Sequence, residues 1–419
     1  MIMPRAFTQT SVIGILRNVF VSLFLLLLSG GFLRAAENGS AQSGNAPPKN
    51  ATLVYVGTFT GTPAGSKGIY LFWLRTEGDK ISQNATLVPL GVAAETESPS
   101  FLTLDGKRHL LFCANETSTF NGRPGGGVSA FSIDAATGKL KLINQRSSMG
   151  NGPCHVVLDK TGKNLFVANY ESGSIAVLPV NQDGALGEAT CVIQDTGRGP
   201  NPARQLGPHA HCVALSPDNR FAFVCDLGTD KVMIFKFDSE HGRLAANNPP
   251  FVTVKPGAGP RHIVFHPNGK FAYLINEIDS TLSAFAYDKS TGALKELQTL
   301  SSLPENYHGP NKAAEIAILP SGKFLFASNR GNDTVRSFAI DSKKGTLSWV
   351  AEQSTGGKTP RYFGIDPFGK YLLICNQDSN TALVCGIDPS AGRLKASDVF
   401  TDIPSPTCAV FLRPSDRDK

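Results

Sequence analysis

The feature that most constrains this chain is a unit of about fifty residues written over and over along it. RHIVFHPNGKFAYLINEIDSTLSAFAYDKSTGAL, from Arg261, lines up with CHVVLDKTGKNLFVANYESGSIAVLPVNQDGAL from Cys154 and HCVALSPDNRFAFVCDLGTDKVMIFKFDSEHGRL from His211. EIAILPSGKFLFASNRGNDTVRSFAIDSKKGTL, from Glu315, and RYFGIDPFGKYLLICNQDSNTALVCGIDPSAGRL, from Arg361, follow the same plan. A more divergent copy starts SFLTLDGKRHLLFCANE at Ser100. Each unit reads strand, Asp/Asn-Gly-Lys turn, strand, polar loop, strand, D-x-x-x-G-x-L turn, strand, with turn residues marking each reversal. Four short strands per unit is the period of a propeller blade, not of a helical solenoid.

The copy that begins ATLVYVGTFTGTPAGSKGIYLFWL at Ala51 lacks its opening strand, while CAVFLRP, from Cys408, is an opening strand with nothing after it. Joining the two closes a ring and pairs an otherwise exposed edge. The fold expected is therefore all-β: a seven-bladed propeller of four-stranded antiparallel blades over residues 51–414, closed by the C-terminal strand, with 415–419 as a tail.

Ahead of it, Arg5 and Arg17 precede the apolar run VFVSLFLLLL from Val19 to Leu28 and the small-residue stretch SGGFLRAAENGSA. A basic segment, about ten apolar residues and small residues after them describe a secretory signal, because about ten residues are too few to span a bilayer. Residues 1–36 are read as that signal, with Ala35, Ala36 and Ala41 as candidate cleavage positions; an uncleaved anchor beginning further upstream is the alternative. Residues 37–50, ENGSAQSGNAPPKN, are a polar linker. The expectation is an exported protein, periplasmic or extracellular, with no stable membrane insertion once the signal is removed.

The net charge of +6 is carried by singly scattered Lys and Arg, so no nucleic-acid footprint is expected. The eight cysteines contain no CxxC pair, and most fall inside apolar strand patterns, where a free thiol behaves as a small hydrophobe. In an oxidising compartment a disulfide remains an alternative. GRPGGG at Gly122 to Gly127 is followed by no GK[ST], and no G-x-S-x-G elbow occurs, so phosphate-loop and serine-nucleophile readings have no support.

A repeat carries its own control: positions that depart into costly polar types in particular blades ask for a ligand. Just ahead of the inner strand the blades carry Ser100, Cys154, His211, Arg261, Ala314 or Glu315, and Arg361. Just after the residue equivalent to Asn276 they carry Glu116, Tyr170, Leu227, Glu277, Arg330 and Gln377. Antiparallel pairing brings these two positions to the same end of the blade. His211, Arg261, Glu277 and Arg330 are the catalytic candidates: Arg offers a donor fork for a carboxylate, phosphate or oxyanion, and Glu or His beside it can move a proton. His209, His155, Glu315 and Arg361 are candidates for substrate binding. His262 and His266 are read as packing and turn residues. The alternative for Arg261 and Glu277 is a purely structural ion pair. His209 and His211 form an H-x-H with no third ligand at metal-site spacing, so no metal is expected.

The opening YVGTFT, the block GPHAHCVALSPD, GPRHIVFHPNGKFAYLINE and FLFASNRGNDTV make the chain similar to the lactonase family of seven-bladed propellers. That family includes bacterial 6-phosphogluconolactonase and the fungal carboxy-muconate lactonizing enzyme, whose proposed His, two Arg and Glu fall, by matching motifs, on His211, Arg261, Arg330 and Glu277. The resemblance implies hydrolysis of a sugar-derived lactone, with Glu277 or His211 as general base, Arg261 and Arg330 on the oxyanion, no cofactor, and a small anionic lactone or sugar acid as the partner. A muconate-type lactonizing activity, or a non-catalytic exported propeller binding carbohydrate or protein, are the alternatives. Phosphogluconolactone chemistry is expected in the cytoplasm, so the export signal departs from that pattern. The oligomeric state is left open by the sequence.

Overall fold

The structure, a computed structural model, describes residues 47–76 and 85–417. The expected signal, most of the expected linker and the last two residues of the chain lie outside them.

Among the described residues, seven four-stranded sheets account for the repeat, and every pairing within them is antiparallel. Blades are numbered here in chain order. Blade 5 is representative: its strands run Pro260–Phe265, Phe271–Asn276, Thr281–Tyr287 and Leu294–Ser301, in that order from inner to outer. The inner strands of blades 2, 3, 4, 6 and 7 are Pro99–Asp105, Pro153–Leu158, Ala210–Leu215, Lys312–Ile318 and Pro360–Ile365. Blade 1 takes its inner strand from the far end of the chain: Pro406–Leu412 pairs with Thr52–Thr58, Leu53 opposite Leu412 and Val56 opposite Ala409. The ring thus closes as the orphan strands required.

The D/N-G-K signature does its expected work. In HPNGK, Gly269 sits at φ 68°, a left-handed conformation strained for any L side chain, and its N–H donates to His266 O at 2.9 Å to reverse the chain. His266 is a turn residue as read from sequence, and its Nε2 also reaches Gly322 O of the next blade at 2.9 Å.

Apolar side chains fall into seven buried clusters, each shared by two neighbouring blades. Phe223 and Phe285, for example, join blades 4 and 5, and Val56 and Leu373 join blades 1 and 7. Each fully buried Phe contributes about 1.5–3 kcal/mol of transfer free energy, so the core is a ring of seams that leaves the channel free for polar groups. The tail is not loose: Pro414–Arg417 forms a short helix whose Arg417 donates to Ala135 O and Pro48 O. No helix of the described residues is long and apolar enough to cross a membrane.

Candidate active site

The polar residues reach the channel because each inner strand is bulged near its start. In blade 5 Pro260 pairs with Asn276 and His262 with Ile275, which leaves Arg261 as the extra residue. Ser100, Cys154, His211 and Arg361 are skipped in the same way. A bulge re-aims the side chain it inserts. Gly259 prepares the one in blade 5: at φ 72° its carbonyl accepts from Glu277 N at 2.7 Å, and an added Cβ would lie 2.6 Å from Ile278. Cys154, His211, Arg261 and Arg361 consequently meet Glu116, Tyr170, Glu277 and Arg330 in one pocket of about 220 Å³, with Lys312 and Arg204 at its wall.

Glu277 is the centre of this pocket. Its Oε2 accepts from Arg261 Nη1 and Arg330 Nη2, each at 2.7 Å, and its Oε1 from Arg204 Nη2 at 2.6 Å. Arg261 Nη1 also contacts His211 Nε2, and its Nε donates to Ala314 O at 2.9 Å. Burial by itself would raise the Glu277 carboxyl, but Arg330, Arg261, His211 and Arg204 together outweigh it and hold the group well below its usual range. Burial, reinforced by the Arg261 charge, depresses His211 well below an ordinary imidazole, so it is neutral at physiological pH. Burial also brings Arg330 down to about 9, with Glu277 opposing the fall, and leaves the guanidinium protonated at neutral pH. The four residues proposed as catalytic are therefore in mutual contact.

Of the other four, Arg361 lines the same pocket and the rest lie elsewhere. Arg361 is at the opposite wall, its Nη2 3.8 Å from Glu116 Oε2 and its guanidinium 5.1 Å from the Phe59 ring centre. Glu315 points below the pocket. In blade 6 Ala313 pairs with Asn329 and Ile316 with Ala327, leaving Ala314 and Glu315 opposite Ser328, so Ala314 takes the place of Arg261 and Glu315 that of His262; the carboxylate lies one layer down, 3.1 Å from His262 Nδ1. His155 belongs to the same lower layer, its ring centre 4.2 Å from that of Phe101 at a tilt of 35° and its Nε2 3.6 Å from Cys212 Sγ. There burial raises Glu315 to about 7 and, with Arg261, holds His262 well below 6.5. The reading of His262 as mere packing is corrected: it faces the channel axis, its ring 5.2 Å from that of His211. His209 sits at the rim, its Nδ1 2.8 Å from Tyr170 O and its ring stacked 4.6 Å from the Tyr170 ring.

One participant has no blade equivalent. Arg204 comes from the loop between Gln194 and Ala210 and spans Tyr170 Oη, at 3.0 Å, and Glu277. It reaches over blade 4, where the second position is the fully buried Leu227. Gln205 anchors it, its Nε2 donating to Leu227 O and Asp230 Oδ1, each at 2.8 Å. The comparison between blades could not flag a loop residue; the available signal was the loop's length beside that of the other inter-blade junctions.

All eight cysteines are free, and all but Cys191 are buried. Among the described residues no group of three or more His, Cys, Asp or Glu is assembled to hold a metal.

Residues 53–411 match the family model Lactonase, 7-bladed beta-propeller. The chain is 32% identical over 358 residues to a 6-phosphogluconolactonase of Bacillus subtilis, covering 85% of this chain and 97% of that protein. It is 34% identical over 319 residues to a 6-phosphogluconolactonase of Formosa agariphila, covering 74% and 86% respectively. Among solved structures, the periplasmic gluconolactonase of Pseudomonas aeruginosa superposes with a TM-score of 0.78 at 33% identity, over 86% of this chain and 99% of that one. Blade count, ring closure and the matched span agree: the chain belongs to the lactonase family of seven-bladed β-propellers.

Proposed function

We propose that this protein hydrolyses a sugar-derived lactone to the open acid, in the manner of a 6-phosphogluconolactonase. The observation that carries the reading is the convergence of Arg261, Arg330 and His211 on Glu277 inside a pocket of about 220 Å³, which suits one hexonolactone. The relatives named 6-phosphogluconolactonase and gluconolactonase support the substrate class.

Water attacks the lactone carbonyl, its proton passes to His211 Nε2, and the carbonyl electrons move onto oxygen. Arg261 and Arg330 stabilise that oxyanion. Its collapse breaks the bond to the ring oxygen, which takes the proton back from His211, and the carboxylic acid is released. Of the two bases open at the sequence level, His211 is favoured. Glu277 already accepts from three guanidinium groups and is too acidic to compete, whereas neutral His211 has one lone pair on Nε2, which Arg261 Nη1 contacts in the free site and which is released to water when that guanidinium turns to the oxyanion. Glu277 orients the two arginines. Arg361, across the pocket, and Lys312, paired beside Arg330, suit an anionic substituent such as a phosphate.

Export is part of the proposal. The basic, apolar and small-residue order of residues 1–36 supports it, and one similar structure is of a periplasmic protein. The direct test is turnover of 6-phosphogluconolactone and glucono-1,5-lactone by the purified chain, with the mature mass read from the exported fraction. Absence of hydrolysis of either, or product formed only from an unsaturated dicarboxylate, would overturn the reading.

A further inference from the structure

The repeat isolates a second departure that the mechanism does not use. In blades 2 to 7 the second strand carries Asn115, Asn169, Asp226, Asn276, Asn329 and Asn376 at its end, or in blade 6 one residue before it. Four of the asparagines share an arrangement: the Nδ2 donates to the residue that follows the preceding blade's outer strand, or to its neighbour. Asn115 reaches Thr96 Oγ1 at 3.0 Å, Asn169 reaches Ser148 O at 2.9 Å, Asn329 reaches Ser302 O at 2.8 Å, and Asn376 reaches Thr355 O at 3.0 Å. The partner is thus Thr, Ser, Ser or Thr. In blade 4 both members change at once. The asparagine becomes Asp226, and the residue after the outer strand Cys191–Gln194 becomes Asp195.

Two carboxylates now face each other where a donor and an acceptor stand in the sibling blades. Asp226 is 0% exposed. Its Oδ1 is fully used, accepting from His209 N and Gly228 N at 2.8 Å and Thr229 N at 3.2 Å, while its Oδ2 has no donor. Asp195 repeats the pattern: Oδ1 accepts from Thr196 N at 2.7 Å and Oδ2 has no donor. The buried Thr229 Oγ1 beside them is also without a partner. Buried acceptors of this kind are costly unless a proton or a cation lies between them. The carbonyl and side-chain ladder elsewhere in the ring shows that the fold itself does not demand acid here.

We propose that Asp195 and Asp226, together with Thr229 Oγ1, form a binding site for a hard divalent cation of the calcium class. The ligand set is all oxygen, as such ions prefer. The backbone N–H groups on Asp226 Oδ1 fix the orientation of the carboxylate from behind, the role of an outer shell. Asp195 lines an open groove of about 700 Å³ at the rim, which gives the ion an entry path and water for its remaining positions. The groove is also walled by Arg204, and Asp195 begins the loop that carries it. The ion therefore pins the base of the segment whose arginine holds Glu277.

The test uses the full mature chain, stripped with a chelator, titrated with calcium chloride at pH 7 and followed by calorimetry and thermal unfolding. Saturable binding is expected, with a rise in Tm of about 5 °C at one hundred times Kd. Asp226→Asn restores the residue used by the sibling blades and keeps all three backbone hydrogen bonds; it should fold and lose both responses. Asp195→Ser, the residue found at two sibling junctions, should do the same. No binding up to about 10 mM calcium, roughly ten times the weak end of extracellular sites, overturns the proposal, as does undiminished binding in Asp226→Asn.

Discussion

Arg204 Nη2 lies 2.6 Å from Glu277 Oε1, and this contact completes the saturation of the carboxylate begun by Arg261 and Arg330 on Oε2. The three guanidinium groups are not equivalent. Arg261 and Arg330 are held by their strands, whereas Arg204 belongs to a loop and its side chain is 27% exposed. A carboxylate so engaged is a fixed counter-charge that sets two oxyanion donors, and the loop arginine is the member free to exchange it for an anionic substrate.

Removing the counter-charge should abolish both order and turnover. For Glu277→Gln we expect kcat to fall by roughly 10²–10³, the effect of losing oriented oxyanion donors, with a stability loss of about 3–5 kcal/mol because buried guanidinium groups lose their partner. Arg261→Ala should lose a similar factor in kcat while remaining folded by circular dichroism. Unchanged lactone hydrolysis in either variant would remove the assignment.

Arg204→Gln should separate substrates. A lost charge-assisted hydrogen bond is worth about 1.5–3 kcal/mol, so KM for 6-phosphogluconolactone should rise about tenfold or more, and that for the neutral glucono-1,5-lactone much less. The Tm should hardly move, because Gln205 keeps the loop anchored. Equal rises in KM for the two lactones would argue against an anion contact.

The pH profile follows from His211. A base must be unprotonated to act, and burial with Arg261 depresses this imidazole well below 6.5. Protonation therefore sets in only at a lower pH than for an ordinary histidine, and kcat/KM should stay level from pH 7.5 through pH 6. Glu277, also depressed, stays ionised across that window and adds no step. A half-maximal point near 6.5 would contradict the neutral-imidazole assignment.

Ring closure should be indispensable. Ending the chain after Ile403 removes the strand that pairs with Thr52–Thr58 and unpairs Leu53, Val54, Tyr55 and Val56 along one whole edge. We expect no cooperative thermal transition and no monomer by size-exclusion chromatography. A folded monomer would show that blade 1 closes by packing alone.

The blade architecture was legible because it is written in local signals. Alternating apolar residues, the Asn-Gly-Lys turn at Gly269 and the orphan strand at Cys408 each act over a few residues, and the ring follows from repeating them. The site was half legible. His211, Arg261, Glu277 and Arg330 stood out because sibling blades carry Ser100, Cys154, Ala314 or Leu227 at the same positions. His155 and Glu315 were placed a layer too high because each stands one residue past the bulged position, level with His262, and where the bulge falls is set by the register with the second strand. Skipping is a property of pairing between strands, not of either strand alone.

By itself, then, the sequence determined the number of blades, the strand that closes the ring and the four polar residues that gather at one rim, since short-range periodicity and turn chemistry encode all three. Only the tertiary structure decided that Arg204 enters from a loop to meet Glu277, that His262 faces the axis, and that Asp195 stands against Asp226. These pairings join neighbouring blades, and the angle and depth at which blades meet come from the buried apolar seams between them, which no single repeat contains.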